Sequence, residues 1–266
     1  MRRALTTRLE HLGAGALAAL TTSRGLWLTT VGTIAGLIRG GRAPGEIRRQ
    51  LLAIGNRSLL FIAVTLGFLG MVLVYQTCLQ SQRVTGDLSQ VGVQLLRLAV
   101  SDFAPTLTGL MLATRVGAGI AAELGSMKVT EQLDALRMCG VRPIDYLLSP
   151  RLVASIVMTL ALTVIGGAIM IGVGGLTAWV SFDLNPRTFF DVSRTGIPHV
   201  LLGLTKAATF GAAIPLVAGH FGLSARGSSE GVGAATTAAV IGSSLAVIAL
   251  DFVLSVVGFL LLGDQL

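Results

Sequence analysis

The 266-residue chain is 53% hydrophobic and only 12% charged, with a mean hydropathy of +0.79. A soluble domain carries about 25% charged residues, so these figures exclude a soluble globular fold and leave a membrane protein. The net charge of +7 does not indicate nucleic acid, because nine of the twenty Lys and Arg precede Ser58 without interleaved aromatics; basic residues flanking apolar spans follow instead from the positive-inside rule.

The first segment, residues 1–57, reads as a cytoplasmic and interfacial region with no cleavable signal peptide. Its uncharged run, 25–38, is too short to cross about 30 Å of hydrocarbon. Trp27, flanked by Arg24 and Arg39, suits a helix lying in the membrane interface. The remainder, 58–266, reads as an all-α integral membrane domain of five transmembrane helices, about 58–82, 103–122, 152–182, 197–223 and 231–263.

The first span holds no charge between Arg57 and Arg83. The second is weak, with Pro105 near its start and Arg115 inside it, yet the charge distribution requires it. With the N-terminus inside, five crossings leave fifteen Lys and Arg on the cytoplasmic side and four outside, namely Arg83, Arg97, Arg187 and Arg194. The third span is uncharged from Leu152 to Phe182. Tyr75 and Trp179 fall near the outer ends of spans one and three, where amphipathic rings prefer to sit. Cys78 and Cys139 fall on opposite sides of the membrane and cannot pair.

In the fourth span small residues recur at Gly203, Ala207, Gly211, Pro215 and Gly219, a stripe that lets a neighbouring helix approach closely. The fourth span also holds Lys206, and the fifth holds Asp251. A charged side chain at a helix centre costs about 2.5–3.5 kcal/mol on insertion scales. Such residues face a bundle interior and find partners, so Lys206 is expected to pair with Asp251.

Between spans two and three lies AELGSMKVTEQLDALRMCGVRP, residues 122–143. Val129, Leu133, Leu136 and Gly140 recur at helical spacing, while Glu131, Asp134 and Arg137 occupy another face. Gly140 and Pro143 form a helix stop. The pattern predicts a short amphipathic cytoplasmic helix whose mixed, partly acidic face suits a protein partner better than an anionic leaflet. Catalytic motifs are missing from the sequence: there is no P-loop, His11, His199 and His220 are scattered, and Gly117, Gly119 and Ala122 follow an apolar helix rather than a strand. No enzymatic chemistry, metal or cofactor is expected on this polypeptide.

The stretch RVGAGIAAELGSMKVTEQLDALRMCGVRPIDYLLSP, residues 115–150, resembles the signature of the MlaE/YrbE permeases. The likeness continues with KAATFG at 206–211, EGVGAATT at 230–237 and SSLAVIALDFVL at 243–254, and it covers nearly everything after residue 50. The resemblance implies a homodimeric, multi-pass permease in a bacterial inner membrane. It is expected to belong to an ABC transporter moving phospholipid between inner and outer membranes. ATP and Mg would be bound by a separate ATPase subunit, onto which a cytoplasmic coupling helix seats. Glu123, Met127, Lys128, Glu131, Gln132, Asp134 and Arg137 are the coupling residues so implied. An MCE-domain protein on the periplasmic side and a small STAS-type subunit are the further partners. Two departures stand out. The family's Arg-Glu-Leu-Gly-Pro is Ser101-Asp102-Phe103-Ala104-Pro105 here, so the acid persists, as Asp102, as a polar group on the lipid path, but the arginine does not. An arginine of the family's later motif is Ala234 here. The alternatives are an ion-coupled carrier relaying protons through Asp102, Lys206 and Asp251, and a membrane scaffold. Five spans give no even inverted repeat, which carriers of that kind often show.

Overall fold

In hydrocarbon, backbone polar groups must be satisfied within the chain, and apolar runs of this length do so as helices. The computed structural model describes residues 2–39, 45–84, 91–190 and 196–262; within these there is no strand. In chain order the helices are α1 (Arg2–Arg39), α2 (Glu46–Val84), α3 (Val91–Val129), α4 (Gln132–Met138), α5 (Ile144–Phe182), α6 (Pro186–Phe189), α7 (Ile197–Leu223) and α8 (Ser229–Leu262). Five of them, α2, α3, α5, α7 and α8, are long and apolar enough to cross a membrane, which makes the chain a multi-pass membrane protein.

The boundaries differ from the sequence expectation in three places. The first crossing helix begins at Glu46 instead of residue 58, since nothing after Gly45 (φ 82°) interrupts helical bonding. It therefore takes over part of the segment expected to be interfacial. The helix of span two runs from Val91 instead of residue 103. Pro105 has no N–H and its ring crowds the carbonyl four residues back, so it was expected near a helix start. The chain accommodates it through a π turn, Ala99–Phe103, immediately before it. A second π turn, Ala113–Gly117, follows lower in the same helix. Finally, α1 is one long helix through Arg39, not a short one over 25–38.

α2 lies along α5, α7 packs between α5 and α8, and α3 contacts α7 and α8. Ile62, Leu66, Leu112, Leu162, Phe210 and Ile214 fill the centre. The end of the bundle holding α1, α4 and the start of α5 carries most of the basic residues and is called the basic end below. Tyr75 and Trp179 lie exposed toward the other end, and the free cysteines are apart, Cys78 buried and Cys139 exposed.

The last part of α1 docks on the basic end. Gly25 meets His220, Gly32 meets Ile144, and Gly36 meets Ser149 and Asp145. Ser149 Oγ donates to the Thr33 carbonyl at 3.2 Å. The hydroxyls of Thr29 and Thr33 bond back to the carbonyls of Gly25 and Thr29, which hides their polarity inside the seam. The other face exposes Trp27, Val31, Ile34 and Ile38. One face against protein and one apolar face outward is the arrangement of a helix at the edge of a membrane.

The small-residue stripe on α7 works as a close-approach seam. Gly203 has the Val100 carbonyl oxygen where a Cβ would sit, so α7 contacts the first π turn of α3 backbone to backbone. Gly203→Val is expected to lower stability by about 1–3 kcal/mol through overpacking, read as a lower Tm in detergent.

Candidate functional site

Three helices bring charge to one depth. Lys206 lies about 14 Å along α7 from its Ile197 end, and its side chain is fully buried. Its ammonium donates to Asp102 Oδ1 on the π turn of α3. It also lies 3.0 Å from Asp251 Oδ1 on α8 and donates to Ser255 Oγ at 2.8 Å. All three of its protons therefore have acceptors. Thr106 Oγ1 donates to Asp251 Oδ1 at 2.8 Å, and Ser101 Oγ lies 2.8 Å from Asp102 Oδ2. The expected Lys206–Asp251 contact is present, with Asp102 as a second carboxylate.

The polar partners were missed from sequence. Thr106 stands four residues after Asp102, and Ser255 four after Asp251. Each is thus one helical turn from its acid on the same face, a signal available without a structure. What spacing could not show is that Thr106 serves the acid of another helix.

The cluster opens on a cavity of about 380 Å³ lined by Arg97, Ser101, Asp102, His199, Ser255 and Phe259, among others. Arg97 is one turn before Ser101, the position at which the family arginine is missing. His199 is 4% exposed, and its Nδ1 has no hydrogen-bond partner among the described residues. A positive side chain, a histidine and a carboxylate at the mouth of an otherwise apolar bundle can meet a polar headgroup while the walls accept apolar chains.

At the basic end the expected single helix over 122–143 is two. Its first part is the end of α3, and α4 begins only at Gln132. The β-branched pair Val129 and Thr130 weakens the helix, Thr130 Oγ1 bonds the Ser126 carbonyl at 2.8 Å, and Glu131 takes the left-handed conformation at φ 61°. The Glu131 carbonyl then receives the N–H groups of Asp134 and Ala135. Glu131→Gly is expected to leave stability unchanged or raise it by about 1 kcal/mol by relieving that backbone, as thermal unfolding would show.

The predicted coupling residues thus separate. Glu123 sits on α3, where its carboxylate meets Arg151 Nη2 at 2.8 Å. Arg151 is 1% exposed, and its Nε and Nη1 have no partner among the described residues. This pair ties α3 to α5. Met127 packs toward the core. Lys128 reaches Asp134 at 3.6 Å, and Arg137 reaches the same carboxylate at 2.6 Å. Leu133 is buried, while Glu131, Gln132, Ala135, Met138 and Cys139 are exposed. Met138, at 90% exposure, is the residue that sequence reading passed over. An apolar side chain that far from its own core is a natural anchor for a partner.

The sequence profile described as "Permease MlaE" matches residues 47–257. A probable ABC transporter permease of Rickettsia conorii is 35% identical over 230 residues, covering 86% of this chain and 88% of that protein. A probable ABC transporter permease of Synechocystis is 37% identical over 219 residues, 81% of this chain and 82% of its own length. The intermembrane phospholipid transport system permease MlaE of Haemophilus influenzae is 33% identical over 217 residues, 79% and 82% of the two chains. With a match over most of its length, including every crossing helix, the chain belongs to the MlaE permease family.

Proposed function

We propose that this chain is the permease subunit of an ABC transporter that moves phospholipid between the inner and outer membranes of a bacterium. The observation that carries the reading is the family match across residues 47–257 in a bundle whose crossing helices hold one charged cluster beside a cavity. The positive-inside rule puts the basic end in the cytoplasm, and the chain then lies in the inner membrane. A separate ATPase subunit binds ATP and Mg and docks on the outward face of α4. Movement of α4 passes to α3 through Lys128 and Asp134, and from α3 to α5 through Glu123 and Arg151. The far end of α3 carries Asp102, so the motion arrives at the cavity. There the apolar walls take acyl chains, which offer nothing polar to recognise, and Arg97 and His199 meet the headgroup. A second copy of the chain, an MCE-domain protein on the periplasmic side and a STAS-type subunit complete the proposed assembly.

The ion-carrier reading is not favoured. A relay lysine needs to release and recapture a proton, and Lys206 has all three donors engaged. Reconstitution with the co-purifying ATPase in vesicles tests the proposal through transfer of a fluorescent phospholipid. Transfer is expected to require ATP and to continue when an ionophore collapses the proton gradient. Transfer that stops with the ionophore while ATP is present would replace this reading with the carrier.

A further inference from the structure

A cavity of about 680 Å³ lies at the basic end and plays no part in the transport path above. α1, α4, the start of α5 and the end of α7 enclose it. Its apolar walls come from Leu28, Leu133, Ile144 and Leu223, and three guanidinium-bearing residues, Arg39, Arg137 and Arg142, share the lining with one carboxylate, Asp145. Arg137 is already held by Asp134, whereas Arg39 stands 3.8 Å from Asp145 and remains largely exposed, as does Arg142.

We propose that this cavity binds one anionic phospholipid of the cytoplasmic leaflet, its phosphate between Arg39 and Arg142 and its chains against the apolar walls; the choice of leaflet rests on the orientation given above. Charge complementarity selects the ligand. A soluble anion would gain nothing from the walls, and a zwitterionic lipid would gain less from the guanidinium groups. The level is right as well. The exposed apolar face of α1, with Trp27, Val31 and Ile38, places this helix where headgroups meet chains.

The faces of α4 separate this site from the ATPase. Leu133 and Arg137 line the cavity, and by helical spacing they lie on the face of α4 opposite Ala135 and Met138. A partner seated on the outward face leaves the cavity to lipid. A lipid bound there touches the inner side of the helix that the ATPase holds.

Native mass spectrometry of the full chain in detergent, titrated with dioleoylphosphatidylglycerol or dioleoylphosphatidylcholine, tests the proposal. The expected result is one phosphatidylglycerol per chain retained at about tenfold lower concentration than phosphatidylcholine, in line with two nearby arginines. Arg39→Gln/Arg142→Gln should remove that preference, and Gly32→Leu, which fills the cavity beside Ile144, should weaken both lipids. Equal binding of the two lipids to the wild type, or an unchanged preference in the double variant, would overturn it. So would full competition by free glycerol phosphate, which makes the site a simple anion site, or release of the lipid when the ATPase docks, which gives the cavity to the protein. ATP-driven transfer measured on the same preparation keeps the two readings apart: transfer lost with phosphatidylglycerol retention intact counts against the transport function alone.

Discussion

Replacing Lys206 with methionine is expected to lower stability by about 3–5 kcal/mol, the penalty for breaking a buried ion pair by removing one partner. The change leaves Asp102 and Asp251 facing each other across the space the ammonium filled. Methionine keeps the apolar stem of the side chain, so lost packing contributes little. The two acids should behave differently from the lysine, because each can hold Lys206 when the other is removed. Asp251→Asn and Asp102→Asn are therefore expected to cost about 1 kcal/mol each, while the double variant costs more than their sum. Combining all three substitutions removes every charge from the cluster and should recover much of the loss. Thermal unfolding of the purified variants in detergent reads the whole series. Strictly additive effects of the two aspartates would remove the idea that they share one cation.

Met138→Asp is the second large effect, and it falls on assembly instead of stability. The side chain touches almost nothing of its own chain, so the Tm should move by no more than a surface substitution does, about 0.5 kcal/mol equivalent. Affinity for the proposed ATPase subunit is expected to fall by about 30- to 100-fold, or 2–3 kcal/mol, as for an interface anchor. Glu131→Lys, at the turn into α4, should reduce docking as well. Co-purification of the ATPase with each variant, at matched permease yield, makes the measurement. Stoichiometric ATPase retained on Met138→Asp would move the docking surface elsewhere. Arg137→Gln supplies a contrast: its side chain lines the inner cavity, so it should alter docking far less.

These effects were unevenly legible. The Lys206–Asp251 contact followed from the cost of burying charge, because two isolated ions in adjacent spans have few other places to go. Asp102 was expected as a polar group on the lipid path and stood beside Lys206 and Asp251 only in the ion-carrier alternative. Its joining the pair depends on where the π turn rotates the α3 backbone and on how near Gly203 lets α7 come. Arg151 stands just before the start of span three in the sequence, one of the fifteen cytoplasmic Lys and Arg, yet it is buried and binds Glu123. A sequence shows that a residue is charged and near a boundary; it does not show which neighbouring helix covers it.

The broad class, the five crossings and the basic end follow from local quantities, namely hydropathy over a membrane's thickness and the placement of Lys and Arg. Both are sums along the chain and survive any detail of packing. The partition of residues 122–143 into the end of α3, a left-handed turn at Glu131 and a seven-residue helix was decided by tertiary structure. So was the docking of α1. Those outcomes depend on which faces of separate helices meet, and a periodic pattern in one helix does not name the distant element that will cover it.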